Sequence, residues 1–142
     1  MQVYGICVDE LHVKWNKVLE MLKEFDSTLY QNFTENISPD KSGNYPDESI
    51  DDWFRHYDSD GFWGLGAFLH DFILKEEKVD LSIDESEAYY LGISARAPWE
   101  FPENVRNLTE KQLYEILYKY VGRITDDDLQ IQWWVVDDDL NW

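Results

Sequence analysis

Lys78-Val-Asp-Leu-Ser-Ile-Asp-Glu-Ser-Glu-Ala-Tyr-Tyr-Leu-Gly-Ile-Ser-Ala95 is the stretch on which the fold turns. Val79, Leu81 and Ile83 alternate with Lys78, Asp80, Ser82 and Asp84, the two-residue period of a half-buried strand. The acidic turn at residues 84–87 reverses the chain. Residues 88–95, rich in aromatic and β-branched side chains, return as its partner. A hairpin of this kind requires an antiparallel sheet, and the segments on either side of it have helical periodicity.

Upstream, residues 2–8 read as a first strand. Leu11, Trp15, Val18, Leu19, Leu22 and Phe25 then fall at helical spacing, and Asp9 is placed to cap that helix. A shorter helical piece covers residues 28–37, and the Pro/Gly/Ser-rich stretch 38–46 is a loop. A helix starting at Asp47 or Ser49 carries Ile50, Trp53, Phe54 and Tyr57. Residues 58–61 break it, and a longer helix is expected over 62–77. Gly64 and Gly66 in its first turn suggest close packing by another element.

Downstream, Thr109-Glu-Lys-Gln112 is a capping box, opening a helix with Leu113, Ile116, Leu117, Tyr120 and Val121, and Gly122 stands where a left-handed C-cap belongs. Residues 129–136 form the last strand. The fold class is therefore α+β: a three- to four-stranded, mainly antiparallel sheet with three to five helices packed on one face. With 142 residues and no linker or repeat, residues 1–142 read as a single domain.

Thirty acids against twelve bases give a net charge of −18. Residues 1–71 and 72–142 each carry −9, so no acidic tail accounts for it. Seven Trp, nine Tyr and seven Phe allow a substantial core, so the charge coats a folded surface rather than marking a disordered chain. Such a surface repels nucleic acid and anionic membranes and attracts basic partners. The lone Cys7, in an apolar run, reads as a buried thiol and offers neither an internal disulfide nor a cysteine zinc site. There is no signal-peptide pattern and no apolar run of membrane-spanning length, so an intracellular location is expected.

Catalytic signatures are weak. Gly61-Phe-Trp-Gly-Leu-Gly66 lacks the spacing, preceding strand and lysine of a phosphate loop. His56, Asp58, Asp60 and His70 are the best metal constellation, as a metal-dependent hydrolase would need, but no acid closes the loop at the twelfth position of an EF-hand. The expectation is a non-enzymatic protein without cofactor or bound metal.

The stretch 126–142 is more pointed: six acids and no base, with the triplets Asp126, Asp127, Asp128 and Asp137, Asp138, Asp139 bracketing the last strand. If that strand stays extended the triplets lie on the order of 30 Å apart. Leu129, Ile131, Trp133 and Val135 would face the core. Gln130, Gln132, Trp134 and Val136 would face away, which makes Trp134 either an internally covered ring or a partner-binding anchor. Tyr114 and Tyr118 widen the apolar stripe of the last helix, and Tyr118 is a second candidate anchor. Carboxylates standing in for phosphates, with aromatic anchors among them, fit the nucleic-acid groove of a basic protein.

Tyr90-Leu-Gly-Ile, Pro98-Trp-Glu, Leu108-Thr-Glu-Lys and Tyr120-Val-Gly, in the last third of the chain, resemble the C-terminal part of small acidic proteins of Gram-positive phages and prophages. These in turn resemble anti-CRISPR and antirestriction inhibitors. The resemblance implies a phage-encoded inhibitor in the bacterial cytoplasm, binding a CRISPR or restriction nuclease without touching nucleic acid or membrane, as a monomer or homodimer. The alternative is an immunity or assembly protein that binds another basic protein.

Overall fold

A computed structural model describes residues 2–59, 61–85, 88–95 and 98–135. Four strands, β1 (Gln2–Cys7), β4 (Ser82–Glu85), β5 (Tyr89–Ser94) and β6 (Gln132–Val135), form an antiparallel sheet in the order β4-β5-β1-β6. The helices are α1 (Trp15–Phe25), α2 (Ser27–Asn36), α3 (Asp47–Arg55), α4 (Leu65–Glu77), α5 (Glu103–Arg106) and α6 (Glu110–Tyr120). This is the α+β class expected, with α5 a single added turn. Among the described residues no helix is long and apolar enough to cross a membrane.

The expected hairpin is present with a shorter first arm: β4 begins at Ser82, leaving Val79 and Leu81 buried ahead of it, while Asp84 and Glu85, expected in the turn, pair with Tyr90 and Tyr89, and Ile83 stands opposite Leu91. β5 then pairs with β1, Ile6 opposite Leu91 and Gly5 opposite Gly92. Alternation places Tyr4 and Ile6 on one face of β1 and Val3, Gly5 and Cys7 on the other. Ile6, Ile83 and Leu91 join the helical core with Val18, Met21, Leu22, Phe33, Phe54, Phe68, Phe72 and Leu117. Phe68 is its hub. Its ring centroid lies 5.0 Å from Phe54, 5.6 Å from Phe25 and Tyr57, and 6.0 Å from Phe72.

Several local readings need correction. The first helix begins at Trp15, because the Asp9 carboxylate accepts the Tyr89 amide at 3.0 Å instead of capping a helix. The helix expected over 62–77 begins at Leu65. Phe62–Trp63 is a strand, β3, paired with Asp58–Ser59, β2, in a small hairpin. Gly64, at φ 91°, sets the boundary, since that backbone conformation is costly for any side chain. Close packing is not what either glycine provides: nothing lies within 4 Å of a Cβ built at Gly64, and one at Gly66 would make ordinary contact with Val8 and Tyr89 at 3.7 and 3.8 Å. Gly122 is not a left-handed cap, because α6 continues into a tighter turn at Val121–Arg123. Among the described residues the non-glycine residue in that conformation is Lys78, closing α4 at φ 58°.

The capping box holds. The Gln112 amide donates to Thr109 Oγ1 at 3.1 Å, and the Thr109 amide donates to Gln112 Oε1 at 2.9 Å. Thr109→Ala is expected to lower stability by about 1 kcal/mol in urea unfolding.

Candidate partner-binding surface

The chain leaves α6 and returns to the sheet through the first aspartate triplet. Thr125 Oγ1 accepts the Asp127 amide at 3.1 Å and shapes the turn. Lys14 donates its amide to the Ile124 carbonyl at 2.7 Å and its Nζ to Asp126 Oδ1 at 2.6 Å. The His12 amide donates to Asp127 Oδ2 at 3.0 Å, and His12 Nδ1 lies 3.0 Å from the same oxygen. These bonds, that of the His12 amide first, hold the Asp127 carboxyl below the usual carboxylate range. Two of the three carboxylates thus pin residues 12–14, between β1 and α1, to the start of the β6 segment. Asp128 is exposed.

Tyr118 is the other tie at this corner. Its hydroxyl oxygen accepts the Leu129 amide at 3.0 Å, and its ring lies 4.6 Å from that of Tyr114. Tyr118 is half-buried and Tyr114 exposed. Tyr118 nearby, then the ring's partial burial, and more weakly Asp128, push the Tyr114 hydroxyl above its ordinary pKa. Tyr118, a candidate anchor, therefore already has a structural use.

The last strand begins at Gln132 and not at Leu129 as expected, and cover differs along the segment that leads into it. Leu129 is buried and Ile131 packs against the core, whereas Trp133 is 51% exposed and Val135 73% exposed. The Trp133 ring rests on Tyr4, centroids 5.3 Å apart. These two residues, assigned by alternation to the core, lie on the correct face but beyond the reach of the helical layer. Trp134 takes the opposite face. No helix covers it. Its Nε1 donates to the Gly5 carbonyl at 2.9 Å and its ring lies 5.8 Å from that of Tyr90. Trp134, Asp127, Asp128, Gln130, Glu10 and Cys7 line one cleft of about 60 Å³. Cys7 is buried, and that burial pushes its thiol pKa up.

The structure therefore brings Asp127, Asp128 and Trp134 together, with Asp126 next in the chain and Tyr118 behind them. The second triplet, Asp137, Asp138 and Asp139, lies outside the described residues. Trp133 and Val135 are the exposed residues that alternation alone misses, because it assigns a face without showing how far the covering helices extend.

The metal constellation does not assemble among the described residues, where no group of three or more His, Cys, Asp or Glu side chains could hold a metal ion. Asp60 lies outside them. His56 Nδ1 is 2.9 Å from the Asp52 carbonyl oxygen. His70 is held elsewhere, Nδ1 2.9 Å from Asp71 Oδ1 and Nε2 2.6 Å from Asp80 Oδ1. Asp71 also accepts the Tyr57 hydroxyl at 2.6 Å and the Ser59 hydroxyl at 2.8 Å. Burial, followed by the bond to Asp71, pushes the Tyr57 hydroxyl far above its ordinary pKa. This network ties the β2–β3 hairpin to α4 and to Asp80.

A larger cleft of about 540 Å³ is walled by Val8, Trp15, Phe54, Leu65 and Tyr89. Its charged neighbours are already engaged, Asp51 with Arg55 and Asp9 with the Tyr89 amide. Comparison with family models, with curated proteins and with solved structures gives no match.

Proposed function

We propose that this chain is a non-enzymatic acidic binding protein that occupies the basic nucleic-acid groove of a host defence nuclease, as a phage-encoded inhibitor of the anti-CRISPR or antirestriction type would. The observation that supports it best is the exposure of Trp133 and Val135 on a strand that leaves the Asp126–Asp128 corner, in a chain of net charge −18. Long-range attraction steers a basic groove to such a surface, and the large apolar ring supplies contact area once water is excluded.

The ties of Asp126 to Lys14 and Asp127 to His12 reduce the charge presented as free phosphate-like groups. They favour, as a second reading, an immunity or assembly protein that grips another basic protein without imitating a nucleic-acid backbone.

The test is displacement. Fluorescent duplex DNA bound to each of a panel of CRISPR and restriction nucleases from Gram-positive bacteria is titrated with the chain. At about 50 mM salt the duplex is released from at least one nuclease in proportion to added protein, and release weakens steeply by about 500 mM. Binding that leaves the duplex in place, or displacement indifferent to salt, contradicts groove occupation.

A further inference from the structure

The sheet has two edges, and they are built differently. β4 closes one edge and carries Asp84 and Glu85 within its four residues, Asp84 accepting the Ser94 hydroxyl at 3.2 Å. β6 closes the other with Gln132-Trp-Trp-Val135, which has no charge, proline or glycine. Charged side chains, proline and bulges are the usual means of keeping an edge strand from pairing with another chain. β6 lacks all three. Its partner on one side is β1, from Gln2 opposite Val135 to Gly5 opposite Gln132, and among the described residues no strand lies on its other side.

The strand is also held rigid. The Trp134 indole is fixed to the Gly5 carbonyl and Tyr118 holds the Leu129 amide. An edge held straight loses little entropy when it gains a neighbour. Its described surroundings select that neighbour's charge: residues 124–135 carry Asp126, Asp127 and Asp128 and no Lys, Arg or His, and Asp128 is exposed. A second copy of a chain carrying −18 would bring like charges together.

We propose that the open edge of β6 accepts an extended Lys/Arg-bearing segment of the partner as a fifth strand. Backbone hydrogen bonds supply the pairing. Apolar side chains of the segment lie beside Trp133 and Val135, and a basic end reaches Asp128, within about 13 Å along the extended chain. This mode rests on the acidic-binding reading above and adds the chemical form of what is bound.

Hydrogen exchange of the full chain tests it, with a ten-residue peptide of alternating Lys and Val as probe. A control peptide has the same lysines, with prolines replacing alternate valines. At about 50 mM salt the first peptide slows exchange of the outward amides among residues 132–135 by about tenfold or more and leaves residues 82–85 unchanged. The proline peptide gives no such protection. The double variant Trp133→Ser/Val135→Ser, which alters only exposed side chains, binds the first peptide about tenfold more weakly with an unchanged circular dichroism spectrum.

Equal binding of the two peptides, or new protection confined to other elements, overturns strand addition while leaving the acidic-binding reading intact. Failure of both peptides to bind at low salt overturns both.

Discussion

Replacing Gly5 or Gly92 with valine is expected to unfold the sheet at temperatures where the native chain is stable. The two glycines face each other across β1 and β5. A Cβ on Gly5 would stand 2.1 Å from the Leu91 carbonyl oxygen, and one on Gly92 2.1 Å from the Tyr4 carbonyl oxygen. Both obstacles are backbone, so no side chain can rotate away to make room. The central strands would have to part, disturbing the pairing of β1 with β6 through the same residues. Even alanine at either site is expected to cost ~3 kcal/mol in chemical denaturation, the upper end for forced overpacking. Alanine at Gly43, where nothing lies within 4 Å but the backbone is at φ 88°, provides a control in which conformation alone is penalised. The cost there is about 1 kcal/mol.

Phe68→Ala is the second large effect, at about 3–5 kcal/mol. Phe68 is fully buried and its ring meets four other aromatic rings, contributed by α1, α3, α4 and the segment that follows α3. Deleting it removes a partner from each of them at once. Because those rings are themselves interlocked, the space cannot close by one side chain turning into it. Thermal unfolding followed by tryptophan fluorescence measures the loss. A Phe68→Leu variant, which retains most of the volume, is expected to recover more than half of it.

Much of this architecture is legible in the residues because its signals are local. Ile83 between Ser82 and Asp84, and the aromatic return strand Tyr89–Ser94, specify a hairpin without reference to the rest of the chain, although Val79 and Leu81, in the same alternation, are buried ahead of β4 and not in it. Thr109 and Gln112 specify a helix start in the same way. The departures arise where a distant partner decides. Asp9 has the chemistry of a helix cap, yet the Tyr89 amide, 80 residues away, takes its carboxylate. Phe62 continues the apolar period of α4, yet Gly64 at positive φ cuts it off and the hairpin takes it.

The candidate surface follows the same rule. Composition singles out the aspartate triplets and the adjoining tryptophans, but Trp133 is exposed because β6 is an edge strand at the end of the helical layer. Strand order is a long-range property. Likewise Tyr118 and Trp134 are the expected aromatic residues in the expected region, but their polar atoms are spent on Leu129 and Gly5, which no periodicity reveals. The consequence is a division of labour: Trp134 and Tyr118 hold the strand, and Trp133, Val135 and Asp128 are left to meet a partner.

The most direct test separates charge in one place from charge in general. Asp126→Asn/Asp128→Asn and Glu35→Gln/Glu48→Gln each remove two negative charges from exposed positions, the first pair beside β6 and the second on α2 and α3. Affinity for the nuclease whose DNA the chain displaces is measured for both at about 50 mM salt. Weakening of about tenfold for the aspartate pair, with less than about twofold for the glutamate pair, is the expected result. Equal weakening by the two pairs would mean that net charge alone drives binding, and the β6 corner would not be the site.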